Sequence, residues 1–170
     1  GALDDNSYTK LTPITTTLKV TCTGTSTFFI TTTDGAASSV LSDAIQTAGW
    51  GTGEAYGLGF SSADPNTQKK IGAYALSVGT ATVDSNATSS HAIVSTDNGR
   101  SWSALGANGN ITPSTKITWA TPGATTLSPA TFKSLTSTMT VNAILNKGTE
   151  LVINNDSPLS GKATLQFSYL

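Results

Sequence analysis

Apolar and polar residues alternate along most of the chain, and that alternation is the strongest signal it carries. Leu18, Val20 and Cys22 fall on one side of a run from Ile14 to Cys22, with Thr17, Lys19 and Thr21 on the other. Side chains in a strand point to opposite faces with a period of two, so this run predicts a half-buried strand. The next run, Thr27 to Thr33, sets Phe29 against Phe28 and Ile30 and lies between Gly24 and the turn signal Asp34-Gly35. The two runs together predict an antiparallel hairpin.

From Ala36 to Gly53 the alternation fails. Val40, Leu41, Ala44, Ile45 and Ala48 have a spacing that suits one or two helical turns, so a loop with one short helix is expected. Further strands are expected at Ala55–Phe60, Ile71–Val78, His91–Thr96, Ser101–Leu105, Thr115–Trp119, Ser137–Leu145 and Lys162–Tyr169. Between them stand Asp64-Pro65-Asn66, Asn98-Gly99, Asn108-Gly109-Asn110, Asn146-Lys147-Gly148 and Asn154-Asn155-Asp156, residue types that turn the backbone or tolerate positive φ. Many short strands, no long helical period and no fixed repeat imply an all-β sandwich or barrel.

The composition fits an extracellular β-protein. The chain has 170 residues, enough for one domain with a real core. Charged residues are 11% of it, against roughly 25% in an average soluble domain. Thr, Ser, Asn and Gly fill the difference, and Thr suits a pleated surface because its χ1 is already stiff. A net charge of −1, with no basic cluster beyond Lys69 and Lys70, leaves no electrostatic footprint for nucleic acid. No apolar run is long enough for a membrane helix. Cys22 is the sole cysteine, which reads either as a small strand hydrophobe or, in a secreted protein, as a thiol whose partner lies elsewhere.

Chemistry is sparse. Ser95-Thr96-Asp97-Asn98-Gly99-Arg100-Ser101-Trp102 matches the Asp-box pattern found in sialidases. Its physical content is a hairpin brace: Asn98-Gly99 makes the tight turn, Asp97 accepts backbone N–H bonds and Trp102 packs beneath. A sialidase needs several arginines to hold its substrate carboxylate, and Arg100 is the only one here. His91 is the single histidine, no G-x-S-x-G surrounds a serine, and Glu54 and Glu150 lie far apart in sequence. Neither metal-ligand spacing nor a cofactor motif occurs, so no enzyme, no metal and no cofactor are expected. The sequons at Asn86 and Asn110 are expected by chance in a Thr-rich chain. The tracts Thr15–Thr17 and Thr31–Thr33 lack the fixed repeat that an ice-binding face requires.

The last stretch, Gly161-Lys162-Ala163-Thr164-Leu165-Gln166-Phe167-Ser168-Tyr169-Leu170, alternates to its final residue with a tyrosine next to last. It resembles the C-terminus of chaperone–usher pilus subunits, and most closely the beta-fimbria-like major subunit family. Leu18-x-Val20-x-Cys22 is similar to the pilin strand that ends in the second disulfide cysteine. Lys70-Ile71-Gly72-x-Tyr74-x-Leu76 resembles another strand of that family, and Thr96-Asp97-Asn98-Gly99-x-Ser101-Trp102 is similar to its hairpin.

The resemblance implies an immunoglobulin-like, pilin-type β-sandwich that is incomplete and is finished by a donor strand. Leu165, Phe167, Tyr169 and Leu170 would form the edge that pairs first with a chaperone strand and then with the extension of the next subunit. Residues 1–170 would be one pilin-like domain lacking the N-terminal donor extension and first strand, with the disulfide partner of Cys22 outside the chain. The implied function is a structural subunit of a surface fimbria that supports adhesion. Its partners would be neighbouring subunits, a periplasmic chaperone and an outer-membrane usher, and its place extracellular. The alternative is a tip adhesin or lectin module that binds a host glycan or receptor, with Trp50, Tyr56, Trp102 and Trp119 as candidates for stacking on sugar rings.

Overall fold

The computed structural model describes residues 3–62, 64, 66–151 and 159–170. The turn signal at Asn154-Asn155-Asp156, and Pro65 of the Asp64-Pro65-Asn66 signal, lie outside the described residues.

Ten strands are formed among the described residues: β1 (Thr9–Lys10), β2 (Ile14–Ser26), β3 (Phe28–Asp34), β4 (Tyr56–Gly57), β5 (Gly72–Val83), β6 (Ala92–Ser95), β7 (Ser103–Ala104), β8 (Lys116–Trp119), β9 (Phe132–Leu145) and β10 (Ala163–Tyr169). One helix, α1 (Ser42–Ala48), and two short 3-10 turns complete the set. The strands make two antiparallel sheets. The first has the order β1-β9-β5-β4, with β2 also on β9, and the second runs β10-β3-β8-β6-β7. This is an all-β fold.

The chain divides into two compact units, each built from discontinuous segments. The first comprises the described residues of Gly1–Ile14, Asp34–Leu76 and Val141–Thr164. There α1 presents Ala44 to Ala55, Ala73 and Ile144, and Gly49 closes the helix in the left-handed conformation, where an L side chain is strained. Asp34 ties the end of β3 down, its two carboxylate oxygens accepting the N–H of Ala36 and of Gly57 at 2.8 and 2.9 Å. Tyr56 and Tyr74 stack across the β4–β5 pair at 5.2 Å.

The second unit comprises Thr15–Thr33, Ser77–Thr140 and Leu165–Leu170. In it both sheets face one core. Phe28 and Ile30 of β3, Ala92 of β6 and Ile117 and Trp119 of β8 come from one sheet; Val78, Ala81 and Val83 of β5 and Phe132, Leu135 and Met139 of β9 come from the other. Phe28 meets Phe132 edge-on at 5.0 Å. The indole N–H of Trp119 donates to the Gly79 carbonyl at 3.0 Å, which satisfies the one polar atom of a fully buried side chain.

The expected hairpin between the runs Ile14–Cys22 and Thr27–Thr33 does not form. β2 continues to Ser26, so only Thr27 separates it from β3, and the tightest hairpin needs two residues. The chain therefore swings across: β2 pairs with β9 in one sheet, β3 with β8 in the other. Leu18 and Val20 then pack on the core that contains Phe28 and Ile30 rather than lying beside them. The strand expected over Ala55–Phe60 shortens to Tyr56–Gly57 plus a single bridge from Phe60 to Lys70, because Gly59 at φ +92° interrupts the ladder. β9 begins earlier than expected, at Phe132, and β5 runs on to Val83. β1 forms at Thr9–Lys10, where the alternation predicts no strand.

Candidate functional site: an open strand edge and its groove

β10 is the last strand of its sheet. The N–H of Leu170 donates to the Thr27 carbonyl at 3.0 Å, and the Lys162 carbonyl accepts from Gly35 N–H at 2.7 Å. Both bonds fall at even-numbered positions that flank β10. Successive residues of a strand direct their backbone groups to opposite sides, so Leu165, Phe167 and Tyr169 aim N–H and C=O away from β3. No strand among the described residues takes them up.

The same odd-numbered residues carry the apolar side chains that face the core. Leu165 reaches it, Phe167 leans on Phe28 at 5.8 Å between ring centres, and Tyr169 stands clear. Phe167 is 48% exposed, Tyr169 74% and Leu170 53%. Opposite β10, β2 offers Leu18, Val20 and Cys22, each only half-buried. The cleft between them holds about 430 Å³ and is lined by Lys19, Val20, Cys22, Phe28, Phe167 and Tyr169 among others. An unpaired backbone edge next to apolar side chains invites another strand.

Cys22 carries a free thiol on that lining. Sequence reasoning singled out Cys22, Leu165, Phe167, Tyr169 and Leu170, and the fold brings Cys22, Phe167 and Tyr169 to one cleft. It missed Phe28 and Val20 as its floor and wall. Alternation in both runs was readable, but which two runs would face each other was not.

The Asp-box hairpin joins β6 to β7, with Ile93 opposite Ala104 and Val94 opposite Ser103. Asn98 at φ +67° and Gly99 at φ +93° make the tight turn. One oxygen of Asp97 accepts from Ser95 Oγ, Arg100 N and Ser101 N at 2.7, 3.1 and 2.9 Å, and the other accepts from Ser101 Oγ at 2.5 Å. These donors, above all the Ser101 hydroxyl, hold the Asp97 carboxyl far below the usual carboxylate range. Because the folded value is depressed, the stabilisation is present above the unfolded value near 4 and is lost only as pH falls through the folded one. An NMR titration is expected to leave Asp97 ionised at about pH 2.5; a midpoint near 4 would show the donors to be absent in solution.

The remaining candidates stay apart from the cleft. His91 is exposed, and its backbone carbonyl accepts from Ala120 N–H at 2.8 Å. Glu54 receives the Gly51 N–H at 2.8 Å, and Glu150 lies in a 3-10 turn. Tyr56 and Trp119 are fully buried, so neither can stack on a sugar; Trp102 and Trp50 are half-buried, Trp50 packing against the cluster around Ala44. Of the two sequon asparagines, Asn86 is exposed and Asn110 buried. Among the described residues no group of three or more His, Cys, Asp and Glu side chains is placed to hold a metal ion, and no helix is long and apolar enough to cross a membrane.

No family model, curated protein or solved structure matches the chain.

Proposed function

We propose that this chain is a structural subunit of a bacterial surface fibre, an immunoglobulin-like sandwich of the pilin type completed by a strand donated from another subunit. The observation that carries the reading is the pairing of two deficits at one place. β10 leaves the N–H and C=O of Leu165, Phe167 and Tyr169 without a partner strand among the described residues, and the cleft beside them, floored by Phe28, leaves Val20, Cys22 and Phe167 partly uncovered. A single extended segment with apolar residues at every second position meets both needs, since its backbone pairs with β10 while its inward side chains fill the cleft.

Among the described residues of the lining Lys19 is the only charged side chain, so the occupant is an apolar, uncharged strand. During secretion a periplasmic chaperone would hold the edge and an usher would exchange it for the next subunit; the assembled fibre is extracellular and supports adhesion. The burial of Tyr56 and Trp119 removes two of the four aromatic residues that an adhesin reading would use.

The test is a synthetic peptide of about ten residues alternating valine and threonine, against a control of equal composition with its valines clustered. At a hundredfold excess over its Kd the alternating peptide is expected to add about 2.7 kcal/mol, a rise of about 5–10 °C in melting temperature for a chain of this size. It should also slow alkylation of Cys22. Equal, negligible shifts with both peptides would overturn the reading. A concentration-dependent dimer that protects Cys22 without peptide would assign the edge to a second copy of the chain instead.

A further inference from the structure

The Asp-box hairpin lies beside the end of β10, with Leu170 close to Gly99. A Cβ placed on Gly99 would stand 3.5 Å from Leu170 Cδ2 and 3.8 Å from Trp102 Cζ2. Lys116 Nζ donates to the Asn98 carbonyl at 3.1 Å and sits 4.1 Å above the Phe29 ring. Phe29 points away from the core that its neighbours Phe28 and Ile30 enter, yet it is buried. Leu170, one residue past β10 and in step with its even-numbered positions, falls on that same outer side. Hairpin, Lys116 and Phe29 therefore form a small second cluster, and Leu170, the residue after β10, lies beside its Gly99.

The geometry points to the Asp97-braced hairpin as the positioning device of the strand-accepting edge, with Leu170 as the residue through which it acts on Phe167 and Tyr169. This rests on the strand-accepting reading above and adds to it which residues hold the edge in pairing geometry. The physical reason is pre-organisation. An edge strand paired on one side alone frays from its end, and a frayed end must be ordered again when a partner adds to it. Leu170 N–H to Thr27 is the last rung, and the hairpin holds that rung in place from outside the sheet. The hydrogen bonds of Asp97 run to Ser95, Arg100 and Ser101 within its own hairpin and it is not part of the cleft lining, so its influence on β10 passes through Gly99 and Leu170.

Hydrogen exchange at the amides of Leu165, Phe167 and Tyr169 tests this, with and without the alternating valine–threonine peptide. In the unsubstituted protein the peptide is expected to slow all three. In Asp97→Asn the slowing at Leu165 should persist while that at Tyr169 falls at least tenfold, and peptide affinity should weaken about five- to tenfold. Leu170→Ala, which leaves the brace intact, should show the same split. A merely structural loss would lower the protection of all three amides together, and that result, or undiminished slowing at Tyr169 in both variants, overturns the assignment. If the unsubstituted protein shows no slowing with peptide, the strand-accepting reading itself fails and this inference with it.

Discussion

Trp119→Ala is expected to lower stability by about 3–5 kcal/mol, the cost of truncating a fully buried aromatic residue. Trp119 is completely inaccessible and stands in the centre of the second unit's core. Its truncation opens a cavity that β8 and β9 cannot close without shifting the residues between which it is wedged. It also takes the indole N–H from the Gly79 carbonyl, which the Ser137 hydroxyl approaches at 3.0 Å. Trp102→Ala, at a half-buried site beneath the hairpin, should cost under about 1.5 kcal/mol. Urea unfolding of the two variants makes the comparison; equal costs would mean that the core is not centred on β8.

The second large effect separates folding from binding. Phe28 touches Phe132 within the core and Phe167 at the cleft, so it serves both. Phe28→Ala is expected to destabilise the free protein by about 3–5 kcal/mol and to abolish binding of the alternating peptide. Phe167→Ala should cost the free protein less than about 1 kcal/mol, because half of that ring is already in water. Its cost appears on binding, about 2 kcal/mol or roughly thirtyfold in Kd, if the ring becomes buried under a donated strand. Calorimetric titration beside urea unfolding reads the two quantities. A Phe167→Ala variant with normal peptide affinity would remove Phe167 from the interface.

The fold class was legible because alternation is a local property. Leu18, Val20 and Cys22, or Leu165, Phe167 and Tyr169, announce a half-buried strand whatever it pairs with. The turn chemistry of Asn98-Gly99 was equally local: the side chains needed at positive φ are written in the chain. The misplaced hairpin between the first two runs shows where this stops. Alternation gives each strand an inner face without saying which sheet it joins, and here a single connecting residue, Thr27, decided.

The candidate site divides the same way. Sequence pointed to the alternating end of the chain and to Cys22 as separate features. Only the structure sets β2 opposite β10 and makes one cleft of them. Likewise Asp97 reads locally as a brace, while its neighbourhood with Leu170 joins residues far apart in the chain. What the sequence alone determined is the set of strands, their inner faces and the tight turn, because each depends on residues within a few positions of one another. Tertiary structure decided the sheet order, the strand left at the edge and the backbone groups left without partners, because those depend on how distant segments compete for the same neighbours.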